Sequence, residues 1–278
     1  MKKRQIISIA LLASAAISLS VLLYPFAARY LNSKSQTRVV TQYIDDVQAI
    51  DDSSRLATLE AAREYNEKLL RSADRFKPTQ AEKAEYLGQL DAGRGVMGIL
   101  AIHKIDVSLP IYHGTDEGVL QVGLGHMKGT SLPVGGAGTH AFITGHRGLP
   151  SSKLLSSLDK LAEGDTFTLY VLGETLTYRV DDIQTVKPHE VEALNTIGPE
   201  ADYCTLVTCT PYGINTHRLL VRGCRIETPL SARWEAFSAD AKYLDKERII
   251  LLFMVPLLPL MLTAVLLICR KIRKGEKL

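Results

Sequence analysis

The chain has 278 residues, room for one sizeable domain with accessory segments, and its hydrophobic share of 46% is ordinary for a folded protein. Its net charge of +3 resides in the tails, where Lys2, Lys3 and Arg4 at the start, and five basic residues against Glu276 after Cys269, outweigh it. The middle is therefore mildly acidic and carries no electrostatic footprint for nucleic acid.

Residues 5–28 and 249–269 contain no charged side chain, and each matches the ~20 residues that a helix needs to cross a bilayer. Basic residues precede the first run and follow the second. By the positive-inside rule the tails 1–4 and 270–278 are cytoplasmic, the chain is two-pass in a cell membrane, and the middle lies outside. A cleaved signal peptide is the alternative for the first run, although Phe26-Ala27-Ala28 is a poor small-x-small site. In both cases the central domain is exported.

Residues 29–94 form a helical arm. Asp51 to Leu70 has Leu56, Leu59, Ala62, Tyr65 and Leu69 at helical spacing, with Ser53 a possible cap. A break at 72–78 precedes a second helix, announced by the capping-box spacing of Thr79 and Glu82 and continued by Ala81, Ala84, Leu87 and Leu90. From 95 to 230 the texture changes to short β-type runs between Gly, Pro and Asn turns, the pattern of an all-β sandwich or barrel. Candidate strands are Met97–Ile102, Val107–Ile111, His140–Thr144, Thr166–Val171, Thr175–Val180, Ile183–Val186, Thr205–Cys209 and Arg218–Ile226, with short helices at Gly118–Val122 and Ser152–Lys160. Residues 231–248 link this domain to the second apolar run.

Cys209 closes an apolar β-type run and is followed by Thr210-Pro211-Tyr212-Gly213, which cannot comfortably continue a central strand. The chain returns through Ile214-Asn215-Thr216-His217 into a run starting at Arg218, so an antiparallel hairpin makes Cys209 and Arg218 near neighbours. A guanidinium beside a thiol favours the thiolate and offers fixed donors to an oxyanion. His146, at the end of another β-type run and flanked by Gly145 and Gly148, is the best of the seven His residues for acid–base work. The bland alternative is a Cys acting as a small core hydrophobe and a Gly-His-Arg-Gly turn. Spacing alone leaves both open.

The strings Thr205–Gly223 (TLVTCTPYGINTHRLLVRG) and Thr139–Pro150 (THAFITGHRGLP) resemble the sortase family, in particular the class C, pilin-polymerising sortases. The resemblance runs from about Gly95 to Ile226 and includes Lys104–Thr115 and Gly125–Gly136. It implies a sortase-type eight-stranded β-barrel with short helices, preceded by the helical arm with its lid and flanked by N- and C-terminal transmembrane helices. It also implies a cysteine transpeptidase acting on an LPxTG-like sorting signal. Cys209 would attack the Thr carbonyl, His146 would serve as general acid and base, and Arg218 would hold substrate and oxyanion. The acceptor would be a lysine amine of another pilin subunit.

Class C enzymes carry a lid with Asp-Pro-aromatic, the Asp meeting the catalytic Arg and the ring covering the Cys. The corresponding break here reads Asp74-Arg75-Phe76, with Arg in place of Pro. Asp74 and Phe76 are therefore the candidate lid residues. Without the proline, φ at position 75 is less restricted, so a more mobile lid is expected.

Strand parity bears on the other cysteines. With Cys209 and Arg218 on one face, Cys204 and Cys224 point to opposite sides, which argues against a disulfide between them. His103, His113, His126, His140 and His189 have no defensible metal-ligand spacing, and neither metal nor cofactor is expected. The competing functions are a sortase that anchors surface proteins to a cell-wall precursor, a thiol protease that releases product to water, and a non-catalytic pilus assembly factor.

Overall fold

A computed structural model describes residues 2–234 apart from 73, 150, 151, 196, 197 and 201, with side chains from residue 14 onward except 16. The expected second span at 249–269, the basic tail 270–278, Cys269 and all but the start of the linker 231–248 lie outside the described residues. The chain divides into two units, one ending at Lys34 and one beginning at Ser35.

Helix α1 spans Lys2–Ala49. In the first unit its side chains Ile17, Val21, Leu22, Tyr24 and Leu31 are exposed and apolar. Among the described residues no helix is long and apolar enough to cross a membrane. The expected first span, 5–28, begins outside the described side chains.

In the second unit the end of α1 buries Val40, Tyr43, Ile44 and Val47, one helical stripe facing the domain core. The Tyr43 hydroxyl donates to the Met97 carbonyl at 3.1 Å and accepts the Leu172 N–H at 2.9 Å. Burial pushes that phenol well above its usual range. The β-branched, polar sequence around Val39-Val40-Thr41 gives little helical signal of its own. Packing of the stripe decides it.

Helix α2 covers Asp52–Leu70, and its cap is Asp51, not Ser53. The Ser53 hydroxyl and the Ser54 N–H both donate to the Asp51 carboxylate, which holds that carboxyl well below the ordinary range. Helix α3 covers Gln80–Leu87 with the expected capping box. The Glu82 N–H donates to Thr79 Oγ1 at 3.3 Å and the Thr79 N–H to Glu82 Oε2 at 2.7 Å.

Eight strands follow: β1 (Val96–Ile102), β2 (Val107–His113), β3 (Leu124–His126), β4 (Thr139–Thr144), β5 (Thr166–Val171), β6 (Glu174–Val186), β7 (Asp202–Thr210) and β8 (His217–Ile226). They close into a barrel in the order β1-β2-β3-β4-β7-β8-β6-β5, with β2/β3 and β4/β7 parallel and every other pair antiparallel. Eight strands were expected, but not these eight. The three-residue β3 is too short for an alternating signal. The two runs Thr175–Val180 and Ile183–Val186 are one strand, β6, with a bulge between Val180 and Asp182. Asp181 at the bulge accepts from Arg222 at 3.0 and 3.1 Å, so the acidic pair that reads as a turn is a paired kink.

Helix α4 (Glu117–Val122) matches expectation. The helix expected at Ser152–Lys160 is instead a series of turns ending in a 3-10 turn at Leu158–Lys160.

Alternation along β4, β7 and β8 sorts their side chains. Ala141, Ile143, Cys204, Leu206, Leu219 and Val221 belong to the barrel core, whereas Phe142, Val207 and Leu220 form a separate apolar cluster on the outer face. Val191 completes that cluster, and Met127, Val186 and Leu194 border it. The loops at 127–138 and 187–195 thus flank one outer face of the sheet.

Helix α3 is pinned to the barrel by a buried phenol. His126 is fully buried, and its Nε2 lies 2.8 Å from the Ser131 carbonyl, so Nε2 carries the proton. Nδ1 then accepts from the Tyr86 hydroxyl at 3.0 Å, while Tyr86 accepts the Gly114 N–H at 2.9 Å. Burial depresses the His126 pKa to about 4, keeping it the neutral acceptor this arrangement requires.

Candidate active site

Strands β7 and β8 pair in a register that sets Cys209 directly opposite Arg218 and Thr210 opposite His217. Both Cys209 and Arg218 lie on the outer face, in line with Val207 and Leu220, and the buried apolar cluster ends next to them. Cys209 is partly exposed, unlike Cys204, which is fully enclosed in the core. Burial, with Asp202 adding to it, pushes the Cys204 thiol well above the normal range, so it serves as a packing group. The register pairs Cys204 with Gly223 and Tyr203 with Cys224, so Cys204 faces inward and Cys224 outward as parity requires. All three described cysteines are free.

β4 runs parallel to β7, with Thr144 level with Val207. One step on, the Gly145 N–H donates to the Val207 carbonyl at 3.0 Å and Thr208 Oγ1 donates to the Gly145 carbonyl at 2.8 Å. Continuing this register brings His146 level with Cys209. Gly145 packs closely on two core leucines, since a Cβ there would lie 2.5 Å from Leu124 Cδ2 and 3.1 Å from Leu155 Cδ1. Nε2 of His146 is buried without a hydrogen bond, and the Glu117 carboxylate at the start of α4 stands 3.5 Å away. The Leu155 N–H donates to the His146 carbonyl at 3.3 Å, fixing the loop from behind.

Arg218 enters no ion pair among the described residues. Its Nη1 donates to the Asn215 and His217 carbonyls at 3.2 and 3.1 Å, leaving the rest of the fork for other acceptors. A thiol, an imidazole and a guanidinium therefore converge at one barrel rim. That set can supply a nucleophile, a proton relay and an oxyanion donor.

The segment expected as a lid bridges the two flanking loops. Phe76 rests on Gly129, where an added Cβ would come within 2.7 Å of its ring. Arg75 Nη2 donates to the Asn195 carbonyl at 2.7 Å and its guanidinium lies 5.0 Å from the centre of the Phe76 ring. Burial draws the Arg75 pKa down. Asp74 is exposed, and it forms no ion pair with Arg218 among the described residues. The arginine that replaces proline thus adds a tether that proline could not make. Sequence reasoning did not single out Glu117, Arg147, Thr208 or Thr210, which touch or support the site. Their adjacency to His146 and Cys209 is the only local signal for three of them, and Glu117 has none.

A closed eight-stranded barrel with Cys, His and Arg at one rim of its outer face defines a thiol-centred enzyme class by architecture and site together. The sortase-domain family model matches residues 100–226. Sortase C1 from Streptococcus agalactiae is 48% identical, with a TM-score of 0.67, over 69% of this chain and 100% of that one. Sortase C from Streptococcus pneumoniae, whose structure is described as giving insight into catalysis and pilin substrate specificity, is 42% identical with a TM-score of 0.62, covering 69% of this chain and all of that one. The chain belongs to the sortase family. Among curated relatives, sortase A of Streptococcus agalactiae serotype III is 35% identical over 118 residues, 41% of this chain and 47% of that protein. The match therefore spans about half the length of that curated relative.

Proposed function

We propose that the chain is a cysteine transpeptidase of the class C type, which cleaves an LPxTG-like sorting signal and joins it to a lysine amine of another pilin subunit. The observation that carries this reading is the direct cross-strand pairing of Cys209 with Arg218, with His146 two residues beyond the end of the adjoining parallel strand β4. Cys209 attacks the Thr carbonyl, Arg218 steadies the oxyanion, and His146 protonates the departing glycine amine to leave a thioacyl enzyme. The same His then takes a proton from the incoming lysine amine, which displaces the thiolate. Asp74 and Phe76 belong to a lid over this face, held by Arg75.

The membrane arrangement belongs to the same proposal. The exposed apolar side chains of α1 between Ile17 and Leu31, together with the charge-free run 249–269, support a two-pass membrane protein with its catalytic barrel outside the cell and both tails in the cytoplasm. Domain limits of 5–28 and 249–269 for the spans, 29–94 for the arm and 95–230 for the barrel go with it. Coexpression with sorting-signal pilins tests the function. A covalent high-mass ladder that needs Cys209 is expected, and a ladder surviving Cys209→Ala would overturn the mechanism. Transfer only to cell-wall precursor would favour the surface-anchoring alternative.

A further inference from the structure

One buried cation joins the loop that carries His146 to the end of β7 just beyond Cys209. Arg147 has a side chain only 8% exposed. Its Nη1 donates to Thr210 Oγ1 at 3.1 Å and its Nη2 meets the Asp159 carboxylate at 2.7 Å, while the guanidinium lies 5.9 Å from the centre of the Tyr212 ring. Nε is buried with no partner, so the two terminal nitrogens alone set the orientation of the fork. The Tyr212 ring also packs against Gly148, where an added Cβ would lie 3.2 Å from Tyr212 Cε2. The Gly148 N–H in turn donates to Ser156 Oγ at 3.1 Å.

We propose that Arg147 is a positioning residue that sets the spacing of His146 from Cys209. This rests on the reading of Cys209 as nucleophile and His146 as proton relay. Arg147 is the immediate neighbour of His146, and Thr210 is the immediate neighbour of Cys209. The Arg147–Thr210 hydrogen bond is thus a cross-link one residue removed from each reacting side chain. Its far end is moored by Asp159 on the 3-10 turn Leu158–Lys160. A buried guanidinium persists only where fixed partners offset its lost hydration, and a two-partner fork is beyond the single ammonium of lysine. Proton transfer between thiol and imidazole is sensitive to such spacing, because a misplacement of about 1 Å can cost about 100-fold in rate.

The test is steady-state kinetics of the full chain in detergent with a sorting-signal peptide and an amine acceptor. Thr210→Val removes only the acceptor oxygen and leaves Arg147 and Asp159 untouched, so it reports on the cross-link even where an Arg147 variant folds poorly. Arg147→Lys keeps the charge but not the fork. Each is expected to lower kcat by about 10-fold or more with KM little changed, within the range that misplacement produces. The double variant should lose little more than the worse single variant, because both remove one interaction. Wild-type kcat in both single variants, a loss confined to KM, or losses that multiply in the double variant would each overturn the proposal. A wild-type chain that neither cleaves nor transfers the peptide would instead remove the catalytic reading of Cys209, and the positioning role with it.

Discussion

Arg75→Ala removes the tether between the segment at 74–78 and the loop at 187–195. A hydrogen bond from a charged donor contributes roughly 1.5–3 kcal/mol net, and because Arg75 is only partly buried the lower end applies to its 2.7 Å bond with the Asn195 carbonyl. Loss of the cation–ring contact with Phe76 at 5.0 Å adds about 0.5 kcal/mol at such an exposed site. Together these come to about 2 kcal/mol, or a 10- to 30-fold larger open fraction of the segment, taking ~1.4 kcal/mol per factor of ten. The Lys77 N–H, which donates to the Asp74 carbonyl at 2.8 Å within the segment's own turn, is the reporter. Its hydrogen exchange should accelerate by about 10-fold in Arg75→Ala while that of the β7 and β8 amides stays as it was. Sorting-peptide cleavage should rise in the same variant. Unchanged exchange at Lys77 would show that Phe76 on Gly129 holds the segment without help, and the tether would be dismissed.

Other expectations follow from the buried groups and close approaches. His126 has a folded pKa of about 4, below the unfolded value of 6.5, so the unfolded chain binds the extra proton first. Its contribution to stability is present above pH 6.5, is lost as pH falls from 6.5 towards 4, and levels off below that. The loss is on the order of 3 kcal/mol at most from this one group, and thermal midpoints at pH 7 and pH 5 should differ less in His126→Gln than in the wild type. Lowering of His113 by burial acts in the same direction. Tyr43→Phe should cost about 1–3 kcal/mol in denaturant midpoint, because the Leu172 N–H and Met97 carbonyl lose their buried partner. Gly145→Ala should lower peptide cleavage, since the added carbon, 2.5 Å from Leu124 Cδ2 and 3.1 Å from Leu155 Cδ1, makes the buried leucines under the His146 loop repack. Wild-type activity in that variant would show that Leu124 and Leu155 give way without disturbing His146.

Much of the fold is legible in the sequence wherever a local rule is strong. The capping box at Thr79 and Glu82 and the strands β7 and β8 stand out because side-chain chemistry and period agree over several residues. Cys209 opposite Arg218 follows from the hairpin alone. What is not legible depends on partners distant in the chain. The end of α1 is helical because Val40, Tyr43, Ile44 and Val47 find the barrel, and β3 is a strand because β2 and β4 flank it. The Asp51 cap lies hidden behind two serines that look equally able. At the site, the expectation of a mobile lid rests only on the φ freedom gained where proline is absent, and Arg75 has a reach to Asn195 that spacing could not reveal. Arg147 carries no sequence signal because its two partners, Thr210 at the end of β7 and Asp159 on the 3-10 turn, are distant in the chain or in another element.

The central claim, that Cys209 is the nucleophile at the Cys–His–Arg rim, is tested most directly by mass spectrometry of the full chain quenched in acid during turnover of a sorting-signal peptide. The expected product is an acyl adduct on the peptide fragment bearing Cys209, absent in Cys209→Ala and unaffected by Cys204→Ala. An adduct carried by Cys204 or Cys224, or turnover that persists in Cys209→Ala, would contradict it.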